Sequence, residues 1–276
     1  MNAGSTFING ITLANGTNGG LASNYSLPSL TATSANNAVT ISKAALVVTA
    51  DNKTMTYGDS SLPVLTATIT GFVSGESASV LTGVAALTTT ATAYNGTAGS
   101  ASVVGGYTIT PAVGTLAATN YSFTYTNGSL AVGKANLTIT ASTDSKVYGA
   151  TTTTAGVAYV SGVATGATAG FTNSGLVNGD TLTSVTLSSA GGNTTANVVD
   201  GPFTITPSAA AGSTRTTISN YNFTYVAANN GLTVTPKAVT FTGSASKVYD
   251  GTTALSGVSV STGVGSETLL LSLIHI

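Results

Sequence analysis

Three copies of one short motif, each about a domain from the next, constrain what this chain can fold into. "SKVYDGTT" (246–253) repeats "SKVYGATT" (145–152), and a looser copy, "TMTYGDSS" (54–61), lies further upstream. Other markers travel with the motif. "KAALVVTA" (43–50), "KANLTITA" (134–141) and "KAVTFTG" (237–243) precede the copies, and "YTITP" (107–111) and "FTITP" (203–207) follow two of them. "NYSFTYTNGSLAV" (120–132) and "NYNFTYVAANNGLTV" (220–234) close the frame, with "NYSLPSL" (24–30) as an echo. A fixed order at a regular spacing is the signature of tandem structural units.

The markers divide the chain. Residues 43–133 and 134–236 are two complete repeats. Residues 1–42 read as the C-terminal part of a truncated repeat and 237–270 as the N-terminal part of another, so the sequence is expected to be a piece of a longer protein. The last six residues, "LSLIHI" (271–276), continue no repeat. They back-translate to CTGTCTCTTATACACATC, which resembles a transposase end used in preparing sequencing libraries, and are read as a non-native tail. The single histidine, His275, falls inside it.

Within each repeat the hydrophobic period is two. Tyr121, Phe123 and Tyr125 alternate with Ser122, Thr124 and Thr126, as in a half-buried strand, and Tyr221, Phe223 and Tyr225 take the same places in the second copy. Asn127-Gly128 and Asn230-Gly231 follow and are expected to make hairpin turns. Leu137 and Ile139 are expected inward, with Thr138 and Thr140 outward. Pro111 and Pro207 are expected to end their strands, and "SGVATGATAG" (161–170) to be loop or weak edge strand. Many short strands with Gly and Asn turns, in units of about 100 residues, predict an all-β fold with one β-sandwich per repeat. The junctions in "SLAVGKANLTITA" (129–141) and "GLTVTPKAVTFTG" (231–243) leave no room for a tether, which predicts a semi-rigid rod.

The repeated motif itself is expected to be structural. Tyr57-Gly58, Tyr148-Gly149 and Tyr249-Asp250-Gly251 each place a tyrosine beside a turn. The expected role is a ring buried at a domain end with its hydroxyl bonded to backbone. The rival is an exposed aromatic that binds a partner. Tyr94, Tyr107 and Tyr159 lie outside the frame and are candidates for a variable binding surface.

Composition excludes several functions. Charged residues make up 5 % of the chain and the net charge is −1, against about 25 % charged residues in an ordinary globular protein. No basic stripe is present to hold nucleic acid. Without cysteine there are no disulfides, thiolate nucleophiles or cysteine metal sites. No stretch reaches the roughly 18 apolar residues of a membrane span. The acids are spread thinly, no carboxylate pair recurs, and neither a nucleophile elbow nor a phosphate loop occurs, so no catalytic residues and no cofactor are expected. Asp180 in "VNGDT" and Asp250 in "YDGT" stand among Asn, Gly and Thr oxygens and are weak calcium candidates. The competing reading is an Asx turn, in which the carboxylate closes on its own backbone.

At these motifs the chain resembles the bacterial repeats known as the MBG domain (YGX type) and the YDG domain. "MTYGDSSLP" (55–63), "GGYTITP" (105–111) and "NYSFTYTNGSLAV" look like the YGX type. "KVYDGTT" (247–253) carries the YDG signature, and the second repeat joins "KVYGATT" to the YDG-like "GLVNGDTL" (175–182). The resemblance implies tandem immunoglobulin-like sandwiches, secretion, and display in bacterial surface proteins similar to filamentous haemagglutinin adhesins. The function it implies is a structural stalk that extends and presents a distal adhesive region, with neighbouring repeats of the same chain as partners. The alternatives are repeats that themselves bind a host or cell-surface glycan or protein, and a spacer in a surface enzyme.

Overall fold

The computed structural model describes residues 2–8, 10–27, 38–73, 75–214, 216–240, 246–252 and 255–273. Among these residues the fold is all-β, interrupted by five single-turn 3-10 segments. No helix among them is long and apolar enough to cross a membrane.

β1 (Gly4–Phe7) and β2 (Ala38–Ile41) pair antiparallel. Seven strands then build a sandwich: β3 (Ala44–Ala50), β4 (Lys53–Thr56), β5 (Ala67–Thr70), β6 (Ala86–Thr89), β7 (Gly105–Ala112), β8 (Tyr121–Thr126) and β9 (Gly128–Gly133). One sheet runs β5-β3-β8 and the other β4-β9-β7-β6. The second sandwich uses β10 (Ala135–Ala141), β11 (Asp144–Val147), β12 (Val163–Ala167), β13 (Phe171–Ser174), β14 (Leu182–Ser188), β15 (Phe203–Gly212), β16 (Tyr221–Val226) and β17 (Ala228–Thr235). Its sheets run β13-β10-β16 and β11-β17-β15-β14-β12. β18 (Leu255–Ser261) and β19 (Thr268–Leu273) form an antiparallel pair.

Period-two patterning decides which face is core. In β10, Leu137 and Ile139 are fully buried while Asn136 is exposed. In β3, Leu46 and Val48 are fully buried, and Ile109 of β7 and Leu130 of β9 fill the other side of that core. Each such side chain contributes about 1.5–3 kcal/mol of burial.

The connectivity is not that of a hairpin meander. β3 pairs parallel with β8, Leu46 opposite Phe123, and β10 pairs parallel with β16, Leu137 opposite Phe223. Parallel neighbours cannot be joined by a tight turn. The opening and closing markers therefore meet although most of the repeat lies between them. Each marker then crosses to the other sheet: β3 continues as β4, and β8 as β9.

That crossing corrects the expected hairpins. β8 and β9 belong to different sheets, as do β16 and β17. Gly128 serves close approach instead: a Cβ there would lie 2.4 Å from the Ala50 carbonyl oxygen. Asn230, at φ +55°, stands within β17 where its register against β15 slips. Pro207 does not end its strand. It lies inside β15 opposite Leu187, just past Ile205, the last residue paired with β17. Pro111 does stand one residue from the end of β7, and β12, within 161–170, is an edge strand.

The chain divides into two compact units. The first holds Met1–Met55, Leu62–Ala91 and Gly105–Ala131, and the second Thr56–Ser61, Thr92–Val104 and Val132–Ile276. Two segments that the repeat frame gives to the first repeat, one of them carrying Tyr57-Gly58, thus belong to the second unit. His275 and parts of the markers at 24–30 and 237–243 lie outside the described residues.

Candidate functional site

A further motif recurs with the tyrosines: "VSGE" (73–76), "VNGD" (177–180) and "VGSE" (264–267). In each, the acidic residue's N–H donates to the valine carbonyl three positions back, at 3.0, 3.0 and 3.1 Å. Left-handed backbone shapes these turns, at Gly75 (φ +84°), Asn178 (+56°), Gly179 (+68°) and Gly265 (+53°).

Each complete repeat ties its turn to its own closing strand. In the first, the Val73 N–H donates to the Tyr121 hydroxyl at 3.1 Å, and that hydroxyl donates to Glu76 Oε2. In the second, the Val177 N–H donates to the Tyr221 hydroxyl at 3.2 Å, which donates to Asp180 Oδ2 at 2.7 Å. The Asn-Tyr closing marker positions both phenols at the start of β8 and β16.

The second turn also holds Tyr57. Its hydroxyl donates to the same Asp180 Oδ2 at 2.9 Å and accepts from Asn178 Nδ2 at 2.8 Å. Its ring meets that of Tyr221 edge-on, with centroids 5.6 Å apart. The cluster is buried: Tyr57, Tyr221 and Asp180 are 3 %, 2 % and 6 % exposed. Gly58, at φ +86°, rests on Val177, where a Cβ would fall 2.3 Å from Val177 Cγ2. The segment 92–104 adds backbone bonds. Gly99 and Ala101 N–H groups donate to the carbonyl and Oδ1 of Asn178, both at 3.0 Å, and Val104 N–H donates to Asn220 Oδ1 at 3.1 Å. All of these residues belong to the second compact unit. Burial pushes both phenols above their ordinary pKa, and the neighbouring Asp180 carboxyl adds to the shift.

The third turn is built the same way. The Tyr148 hydroxyl donates to Glu267 Oε1 at 2.7 Å, and Gly149, at φ +82°, rests on Val264, where a Cβ would fall 2.4 Å from Cγ2. Lys146, two residues earlier, is 3 % exposed, and its ammonium donates to the carbonyls of Ala150, Gly192 and Asn193. Burial lowers its pKa.

The sequence profile of the MBG domain (YGX type) matches residues 46–131 and again 137–233, more than half of the chain. The chain belongs to the MBG domain (YGX type) family. Both MBG repeats carry the Tyr-Gly pair, and the mixed features of the second do not remove it from the YGX type. No curated protein and no solved structure matches the chain.

The MBG signature tyrosines do not behave quite as their sequence predicts. Tyr57 is buried, but its hydroxyl bonds side chains, because a carboxyl from the following repeat reaches it. Tyr148 is half-buried. Tyr249 is 94 % exposed, so it is not packed at a domain end. Beside it, Asp250 closes on its own backbone: Oδ1 accepts from the Thr252 N–H at 2.9 Å and pairs with Lys247 at 2.8 Å, and Gly251 takes φ +74°. Asp180 makes no such Asx turn, since its carboxyl accepts two phenols.

Neither acid is surrounded like a calcium ion's ligand. One remaining oxygen, Asp180 Oδ1, is far from a shell of six to eight. Among the described residues no three His, Cys, Asp or Glu side chains gather as metal ligands. Tyr159 is no surface aromatic: it is 3 % exposed, and burial, with the charge of Asp144, raises its pKa to about 12. The strand aromatics grade outward. Tyr121 and Tyr221 are buried, Phe123 and Phe223 half-buried, and Tyr125 and Tyr225 exposed. Tyr225 stacks on Phe223 and accepts the Ala210 N–H at 3.0 Å.

Proposed function

We propose that this chain is a length of stalk in a secreted bacterial cell-surface protein of the filamentous haemagglutinin-like kind, which extends and presents a distal adhesive region. One observation carries the reading. The Tyr-Gly pair of the first MBG repeat belongs to the second compact unit, where the buried Tyr57 bonds to Asp180 and Gly58 is seated on Val177. Signature residues committed to neighbouring repeats are not free to bind a ligand, which suits a spacer. The resemblance to surface adhesin repeats supplies the bacterial origin, secretion and display in this proposal.

Two measurements test it. Antibodies against the chain are expected to label intact source cells and to lose that signal after surface proteolysis. Labelling that requires permeabilised cells overturns the surface assignment. The immobilised full chain is expected to show no saturable binding to glycan arrays, matrix proteins or cells. Saturable binding to any of them replaces the spacer with an adhesive repeat.

A further inference from the structure

The first acidic turn has most of the parts that hold Tyr57 at the second, with Ser74 in the place of Asn178. Val73, Glu76, Asn120 and Tyr121 correspond to Val177, Asp180, Asn220 and Tyr221. The turn bond and the bonds to the repeat's own tyrosine are the same in both copies. Even the amide seat is used alike: the Ala3 N–H donates to Asn120 Oδ1 at 2.9 Å, as the Val104 N–H does to Asn220 Oδ1 at 3.1 Å.

The cover differs. Asp180 is 6 % exposed beneath Tyr57, and Val264 is 7 % exposed beneath Gly149. Glu76 is exposed, as is Glu267 at the third turn, but Val73 is 49 % exposed where Val264 is buried. Beside them lies a cavity of about 200 Å³ lined by Asn2, Glu76, Val80, Thr119, Asn120 and Tyr121, all within the first compact unit. A cavity of about 150 Å³ accommodates a benzene ring.

We propose that this cavity is the acceptor for a Tyr-Gly turn from another MBG repeat. The incoming phenol donates to Glu76, its ring stands edge-on to Tyr121, and the glycine Cα seats on Val73. The inference deepens the stalk reading and rests on it for the nature of the partner. Glycine is required twice, for a positive φ and for the absent Cβ, as at Gly58 and Gly149. Tyr249-Asp250 puts an aspartate in the glycine's place, so the acceptor selects Tyr-Gly turns over Tyr-Asp-Gly turns.

The test uses the isotope-labelled full chain and a head-to-tail cyclised peptide of sequence KTMTYGDS, followed by NMR. Saturable shifts at the Val73 and Asn120 amides are expected. A Tyr57→Phe peptide should bind about tenfold more weakly, the loss of one hydrogen bond to a charged acceptor. A Gly58→Asp peptide should not bind. Absence of shifts at Val73 and Asn120 at millimolar peptide, or equal binding of the Tyr57→Phe peptide, overturns the proposal. Either result leaves the stalk reading to the cell-labelling test, so the two fail separately.

Discussion

Replacing Tyr57 with phenylalanine removes a single oxygen atom from the buried cluster. That hydroxyl donates to Asp180 Oδ2 at 2.9 Å and accepts from Asn178 Nδ2 at 2.8 Å. A hydrogen bond to a charged group has a net worth of about 1.5–3 kcal/mol, and a buried donor left unpaired costs about 1–3 kcal/mol. The two overlap, because Tyr221 still donates to Asp180, so a net loss of about 3 kcal/mol is expected. For a unit of this size each kcal/mol moves the melting temperature by about 2–4 °C, which gives a drop of roughly 6–12 °C. Differential scanning calorimetry of the full chain reads it, with near-ultraviolet circular dichroism to confirm native packing before melting. Tyr148→Phe is the control. Its partner Glu267 is exposed, so solvent replaces the lost bond and the shift should be much smaller. A Tyr57→Phe shift under about 1 °C, or no larger than that of Tyr148→Phe, refutes the buried-cluster argument.

Other outcomes follow from the same geometry. Gly58→Ala meets both a positive φ and Val177, so a loss of roughly 2–4 kcal/mol is expected, part of it recovered by adding Val177→Ala in a double-mutant denaturation cycle. Gly128→Val should destabilise the first unit through its clash with the Ala50 carbonyl; a neutral result in urea unfolding would restore the hairpin reading. Burial raises Tyr159 to about 12, so its neutral form contributes stability in full below the ordinary pKa of about 10. That contribution fades as pH rises through 12. Tyrosinate absorbance should show a late-titrating class that accompanies unfolding, and titration of every tyrosine near 10 would contradict it. At Asp144, burial by itself would raise the pKa, but hydrogen bonds from Thr153, Thr154 and the Ser145 and Ala155 amides outweigh it and hold the carboxyl below 3.8. The stability it contributes is present above that value and is lost as pH falls through the lower folded value. Thr154→Val should therefore move the acid unfolding midpoint upward in a circular dichroism titration.

Much of the fold was legible because its signals are local. Leu137 and Ile139 announce the buried face of β10 through a period of two, and Tyr121 and Tyr221 mark the starts of β8 and β16. The tyrosines of the candidate site were legible as a repeated frame, but their acceptors were not. Nothing in the local sequence marks Glu76 or Glu267 as a tyrosine's acceptor, and Asp180 reads locally as a calcium ligand or an Asx turn. A signal was available: a Val-x-x-acid turn follows each repeat's opening strand, at 73–76, 177–180 and 264–267. Its meaning was hidden because Tyr57 and Asp180 stand 123 positions apart in different repeats.

The amino-acid sequence by itself determined that this protein is a tandem all-β chain of the MBG type, because strand periodicity and repeated markers act over a few residues at a time. Tertiary structure decided what the turns are for. Asp250 and Asp180 both lie in Gly-containing turns with the same local chemistry. One is solvated and closes on the neighbouring Thr252 amide, while the other is buried beneath two tyrosines and accepts hydrogen bonds from their hydroxyls. Local propensity does not distinguish these outcomes. Desolvation does, because a buried carboxyl must find its donors wherever the fold places them.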